Sequence, residues 1–369
     1  MYTETELVRI AKRENNNKRR YLVINRLQGK HIPVSPSAAF HMFDALADTI
    51  SSQYQNERLL LIGFAETATA IGAALSIKLN TYYMQTTREI IPNVEYLFFS
   101  EAHSHAAEQK LIKTDLNAVI GQTDRIIFVE DEVTTGNTIL NIIDLIVKTY
   151  DASVSFSVAS LLNGMDETSL HIYDARNIPV HYLVKTEHSL YTEIADSYIG
   201  NGEYHICHGE NCLENPQFKE LTVTGCINAR RLTAPGSYQK ACAALFNNLK
   251  EYLDFPSEHS VLVIGTEEFM YPALYTALQI EKRGNTVRCH STTRSPIMAD
   301  SAPDYPLHAR YELCSLYDRS RKIFLYDIKT YDKVLILTDA DNSETDGIHS
   351  LISALASQGN QDITFIRWC

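Results

Sequence analysis

The feature that most constrains this chain is its alternation of short, uninterrupted apolar runs with longer stretches of helical periodicity. The runs are LLLIG at 59–63, RIIFV at 125–129, VSFSVASLL at 154–162, VLVIG at 261–265, KVLILT at 333–338 and DITFIRW at 362–368. A strand that is apolar on both faces must be covered on both faces. The pattern therefore predicts an α/β fold built on parallel, Rossmann-like sheets with helices on either side. Helices are expected through SAAFHMFDALADTI, AIGAALSIKL, the stretch ending at Tyr150, YQKACAALFNNLKEYL, MYPALYTALQIEKRG and IHSLISALASQ. At about 150 residues per domain, 369 residues suggest two domains. The character changes in the loop-rich stretch around 205–235, which places the expected domains at 1–204 and 205–369.

Charge narrows the function classes. Against 33 Lys and Arg stand 45 Asp and Glu, a formal net charge of −12. Nucleic-acid binding needs a basic footprint, so no nucleic-acid partner is expected. No apolar run approaches the ~18 residues of a membrane span, and the N-terminus lacks the apolar centre of a signal peptide. The seven cysteines are scattered, which suits reduced thiols in a cytoplasm. His205, Cys207, His208, Cys212 and Cys226 cluster in sequence, but their spacing fits no familiar zinc module and no zinc is expected.

The two halves repeat one another. Pro36 and Pro235 precede helices; Glu66 and Glu268 follow a strand and a glycine; Arg88 and Arg294 close Thr-Thr-Arg; Asp131 and Asp339 end apolar strands. The members of these pairs lie 199, 202, 206 and 208 positions apart, in order. A nearly constant offset across four landmarks predicts a duplicated unit whose second copy has diverged.

The chemistry concentrates in VEDEVTTGNT, residues 129–138. An apolar strand ends in two carboxylates, Glu130 and Asp131. Thr134, Thr135, Gly136, Asn137 and Thr138 then form a tight turn into a helix. Ligands of open α/β sheets bind at such strand ends. A helix N-terminus offers free N–H groups to a phosphate, glycine permits close backbone approach, and threonine hydroxyls add donors. Adjacent carboxylates suit the vicinal hydroxyls of a ribose.

This segment resembles the phosphoribosyl-pyrophosphate (PRPP) motif of type I phosphoribosyltransferases, in particular the orotate branch. The resemblance implies that Glu130 and Asp131 hold the ribose hydroxyls, with a metal reached indirectly through PRPP, and that residues 134–138 cradle the 5′-phosphate. It implies Mg²⁺ as cofactor. Glu132 departs from the family, which usually has an apolar residue there. By position, Ala65, Glu66 and Thr67 fall on the pyrophosphate loop and Arg88 on the basic residue that meets pyrophosphate. Glu66 repels pyrophosphate unless it faces away or reaches the metal. The polar stretch 100–113, with His103, His105, Lys110 and Lys113, corresponds to the family's mobile lid. His103 and His105 are the lid's candidate catalytic groups beside Glu130, Asp131 and Arg88. The N-terminal hood, with Lys30 and His31, is expected to line the base pocket.

In the second half Thr293-Arg294-Ser295-Pro296 resembles the TRSP domain that follows a phosphoribosyltransferase-like domain in bacterial tellurium-resistance (ter) gene clusters. There the phosphate turn is replaced by acids from Asp339 to Asp346, which would repel phosphate. Copy two is therefore expected not to bind PRPP, with Arg294, Ser295 and Asp339 as a second-domain site. The expected function is a Mg²⁺-dependent phosphoribosyltransferase that joins PRPP to a base-like acceptor, releasing pyrophosphate. The alternatives are a PRPP or nucleotide sensor without turnover, and nucleotide phosphorolysis or hydrolysis. A homodimer and other ter-cluster proteins are the macromolecular partners the resemblance suggests.

Overall fold

The computed structural model describes residues 1–14, 16, 19–99, 109–151, 153–213, 216–341 and 345–369. These form two compact units. The first comprises Met1–Glu4, Phe40–Glu187 and Ile227–Lys240; the second comprises Thr5–Ala39, His188–Cys226 and Ala241–Cys369. No helix among the described residues is long and apolar enough to cross a membrane.

The first unit is built on a five-stranded parallel sheet, in the spatial order Tyr82–Gln85, Leu59–Gly63, Arg125–Val133, Ser155–Asn163, Val180–Lys185. The apolar runs are its centre: residues 60–62 and 126–129 are completely buried. Helix Thr69–Leu79 is apolar on every side and lies close against the sheet. A Cβ on Gly72 would come within 3.0 Å of the Gly63 Cα, so only glycine permits this approach. Helix Asn137–Thr149 buries Ile139, Ile142, Ile143 and Ile146, the i, i+3, i+4, i+7 stripe of an amphipathic helix. An antiparallel pair, Tyr96–Phe99 with Gln109–Ile112, completes the unit's strands.

The second unit carries its own five-stranded parallel sheet, ordered Lys219–Val223, Ile363–Trp368, Lys333–Thr338, Ser260–Gly265, Thr286–Ser291. Its core joins Leu262, Ile264, Val334 and Ile336 to Leu351, Ile352 and Leu355 of helix Thr345–Ser357. Numbered along the chain from Leu59–Gly63 and from Ser260–Gly265, four strands of each sheet share the order 2-1-3-4. The fifth place differs. The first sheet adds a strand from after the repeat, the second adds Lys219–Val223 from before it. Local hydrogen bonds repeat as well. Thr86 N–H donates to the Gly63 carbonyl at 2.9 Å, and Thr292 N–H to that of Gly265 at 3.1 Å. Thr87 exchanges two backbone bonds with Lys110, as Thr293 does with Phe324. The duplication is thus structural, not only a pattern of letters.

Each unit also contains a segment that leads along the chain into a helix continuing in the other unit, Pro36–Ser51 after Val34 and Ser237–Leu249 after Thr233. Val34 exchanges backbone bonds with Cys289 on the edge strand of the second sheet, at 3.0 and 2.8 Å. Thr233 does the same with Tyr83 on the edge strand of the first sheet, at 2.7 and 3.0 Å. In the first unit Arg231 secures this segment. Its guanidinium donates to the buried Asp115 carboxylate at 2.6 and 2.7 Å, and Leu232 N–H adds a third bond at 2.8 Å. Burial acts to raise the Asp115 pKa, but these three donors outweigh it and leave it below the ordinary value.

The remaining elements correct the expectations from sequence. A hairpin, Val8–Lys12 with Tyr21–Asn25, lies in the second unit. Lys219–Val223 is a strand within the stretch expected to be loop, and Lys322–Tyr326 pairs antiparallel with Ala309–Cys314.

Arg231→Ala leaves Asp115 buried without its charged partner. It should cost about 1–3 kcal/mol in urea unfolding and speed amide exchange over 227–240. Because the folded pKa of Asp115 is lowered, the contribution is present above the ordinary carboxylate pKa of ~4 and is lost as pH falls through the lowered value. The difference between parent and variant should therefore close in acid.

Candidate active site

Strand order places the site. Along the first sheet the order reverses between Leu59–Gly63 and Arg125–Val133, the position where open α/β sheets bind ligands. Gly63 pairs with Val129, and there the shorter strand ends. Arg125–Val133 runs on for four more residues, with Glu130, Glu132 and Val133 paired only to Ser155–Asn163. The two carboxylates expected at the strand end thus stand at a one-sided crevice wall.

The loop 64–67 forms the other wall. Phe64 N–H bonds the Val129 carbonyl at 3.0 Å. Ala65 N–H donates to the Thr86 hydroxyl at 2.8 Å, and that hydroxyl donates to Gln109 Oε1 at 2.7 Å. The Gln109 amide nitrogen returns to the Ala65 carbonyl at 3.0 Å. The Ala65–Glu66 peptide bond is cis. The walls meet where the Thr67 hydroxyl donates to Asp131 Oδ1 at 2.8 Å. Burial raises the Asp131 pKa; the Thr67 bond opposes this and the neighbouring Glu132 charge adds to it.

The turn expected to hold phosphate lies at the head of helix Asn137–Thr149. Gly136 occupies the N-cap position at φ +72°. Its carbonyl accepts from the Tyr173 hydroxyl at 2.7 Å, and a Cβ there would come within 2.4 Å of that oxygen. Thr134 and Thr135 span strand and cap, and Asn137 and Thr138 open the helix. This brings Glu130, Asp131, Thr67 and the turn to one end of one sheet. Tyr173 and Gln109 are supporting residues that the sequence reading missed, since no motif marks them; Thr86 opens the repeated Thr-Thr-Arg landmark, but its role in holding the loop was not foreseen.

Other expected residues fall elsewhere. His103 and His105 lie outside the described residues. The 100–113 stretch does not act as lid throughout: Gln109–Ile112 is a strand whose Leu111 and Ile112 are fully buried. Lys110 spends its ammonium on the carbonyls of Arg88 (3.2 Å) and Glu89 (3.5 Å), and Lys113 pairs with Glu95. Arg88 directly follows Thr87, which is fixed to Lys110. Lys30 is fully buried in the second unit, donating to the carbonyls of Glu267 (2.8 Å) and Thr292 (2.9 Å) rather than presenting a charge to substrate. There too, Arg294 pairs with Glu267 and Glu268, the Ser295 carbonyl accepts from Tyr326, and Asp339 accepts from Tyr317 at 2.7 Å.

Comparison with known families agrees with this geometry. Residues 7–188 match the model of a phosphoribosyl transferase family, and residues 233–355 match that of the TRSP domain, described as C-terminal to that phosphoribosyl transferase domain. The chain thus carries a phosphoribosyl transferase domain of this family, followed by a TRSP domain. Similar solved structures include adenine phosphoribosyltransferases. That of Rhodothermus marinus has 16% identity over 49% of this chain and 96% of its own, with a TM-score of 0.37. That of Thermoanaerobacter pseudethanolicus has 17% identity over 49% and 97%, with a TM-score of 0.35. That of Trypanosoma brucei, in complex with AMP, pyrophosphate and ribose-5-phosphate, has 14% identity over 48% and 76%, with a TM-score of 0.33. Comparison with curated proteins finds no match.

Tyr173→Phe removes the hydroxyl that holds the Gly136 carbonyl. It should cost about 1 kcal/mol in denaturant unfolding. Gly136→Ala should cost more, about 2–3 kcal/mol, because it adds both a steric clash and left-handed strain.

Proposed function

We propose that the first unit transfers a phosphoribosyl group from PRPP to a base-like acceptor, forming a nucleotide-like product and releasing pyrophosphate. The observation that carries this reading is the single crevice in which an acid pair, a Thr-Thr-Gly-Asn-Thr turn at a helix N-terminus and the 64–67 loop converge. Glu130 and Asp131 accept from the ribose hydroxyls. The turn at Thr134, Thr135, Gly136, Asn137 and Thr138 receives the 5′-phosphate on backbone N–H groups and hydroxyls. Ala65, Glu66, Thr67 and Arg88 face the pyrophosphate. The Thr67–Asp131 bond sets the spacing between the ribose and pyrophosphate subsites. In this family the C1′–O bond to pyrophosphate breaks through an oxocarbenium-like ribose. The residues contribute by positioning both reactants and by stabilising the charge that leaves.

The donor set fits Mg²⁺. Glu130, Asp131 and Glu132 are hard oxygen donors on one strand end. Mg²⁺ is usually held through one or two carboxylates together with substrate phosphates. When bound, it would neutralise pyrophosphate charge, with Glu130 and Asp131 reaching it indirectly through PRPP. We place the reaction in the cytoplasm, on a small-molecule acceptor, and take a metabolite made with other ter-cluster proteins as its setting.

Two measurements test this. Glu130→Gln with Asp131→Asn should abolish PRPP binding in calorimetry; retained affinity would sink the assignment. Pyrophosphate release should appear only with one acceptor from a panel of bases, whereas tight PRPP binding with no release from any base would make the unit a sensor. Asp131→Asn alone should also stabilise the unliganded protein at pH 7. A raised folded pKa means that the ionised form is disfavoured by folding, so the penalty is full above that pKa and vanishes below ~4. Melting curves across pH should show the gain at neutrality and none in acid.

A further inference from the structure

The second unit has a counterpart of the crevice, and its contents differ in one decisive residue. Glu267 stands where the first unit has Ala65, two positions after the strand-ending glycine. Its backbone repeats the same contact: Glu267 N–H donates to the Thr292 hydroxyl at 3.0 Å, as Ala65 N–H does to Thr86 at 2.8 Å. The residue sits at φ +47°, a left-handed conformation that a glutamate adopts only when its surroundings impose it. Its side chain is completely buried. One carboxylate oxygen takes Arg294 Nε at 2.6 Å and Arg321 Nη1 at 2.8 Å; the other takes the Ser315 hydroxyl. Arg294 is the counterpart of Arg88, and it also reaches Glu268 at 3.3 Å. Across the strand ends Asp339, the counterpart of Asp131, is held by Tyr317, whose hydroxyl also bonds Thr266 at 2.8 Å. Thr266, Ser315 and Thr338 are all completely buried.

We infer that the second unit is a copy of the phosphoribosyl-binding crevice sealed by its own anion: the Glu267 carboxylate occupies the subsite at which the first unit takes pyrophosphate, and Arg294 of the Thr-Arg-Ser-Pro sequence is retained as its counter-ion. The inference rests on the reading of residues 65–67 and 88 as the pyrophosphate subsite. The physical basis is charge. Two guanidinium groups converging on one buried point need an oxyanion there, since a buried charge without a partner is strongly destabilising. A phosphate oxygen and a carboxylate oxygen meet this need with similar geometry. In the first unit the residue at that point is Ala65, whose side chain carries no oxyanion. In the second it is supplied by the chain. Such a protein holds two similar crevices and one functioning pyrophosphate subsite.

Removing the built-in anion should reopen the second subsite. In calorimetry the intact parent chain should bind one pyrophosphate, and Glu267→Ala should bind two. Adding Arg294→Met to Glu267→Ala should abolish the second. In the background of Arg88→Met, which disables the first subsite, Glu267→Ala should regain one equivalent. Glu267→Ala should melt below the parent, and pyrophosphate should raise its Tm more than NaCl of equal ionic strength does. If the alanine variant does not fold, Glu267→Gly, which suits the left-handed backbone at φ +47° and also empties the subsite, carries the same titrations. A folded variant with no added equivalent and no anion-specific rise in Tm overturns the inference, as does a parent that already binds two. A parent that binds none while Glu267→Ala binds one overturns the reading of the first crevice instead and leaves this one standing.

Discussion

The site depends on one constraint of the first sheet: Arg125–Val133 outlasts its neighbour Leu59–Gly63 by four residues at the point where strand order reverses. Beyond Val129 the backbone pairs on one side only. An exposed backbone edge and two carboxylates then face a loop rather than another strand. The Thr67–Asp131 hydrogen bond spans that opening, and the chain from Thr86 through Gln109 to Ala65 holds the loop against it. The crevice exists because the sheet stops pairing there, and it keeps its shape because buried side chains replace the missing ladder bonds.

Duplication explains much of the remainder. The two units share strand order and backbone hydrogen bonds down to the threonine that fixes the loop after the first strand. They differ in the fifth strand, in the turn after Asp131 and Asp339, and at the loop position that is Ala65 in one and Glu267 in the other. Each edge strand is bridged by residues that the chain delivers just before a helix continuing into the other unit.

Legibility in the sequence followed the range of the interaction. The apolar runs identified the parallel sheets, because burial on both faces leaves few polar positions. The acid pair and the Thr-Thr-Gly-Asn-Thr turn were visible because a strand end that leads through a left-handed glycine into a helix is written in adjacent residues. Lys110 was placed in the lid because it lies in a polar stretch at the family's lid position, while burial of Leu111 and Ile112 in the strand paired with Tyr96–Phe99 decided otherwise. Lys30 was placed in the base pocket with the hood, whereas the fold surrounds its ammonium with the carbonyl oxygens of Glu267 and Thr292.

By itself the sequence determined the fold class, the existence of a repeat and the Thr-Thr-Gly-Asn-Thr turn at the head of a helix, all properties of local spacing and burial. Only the tertiary structure decided which hydroxyl fixes Asp131, which tyrosine locks Gly136, and that Glu267 rather than solvent faces Arg294. These contacts join residues 27 to 64 positions apart. No periodicity encodes them, because they arise only when separate strand ends are brought to one edge of a sheet.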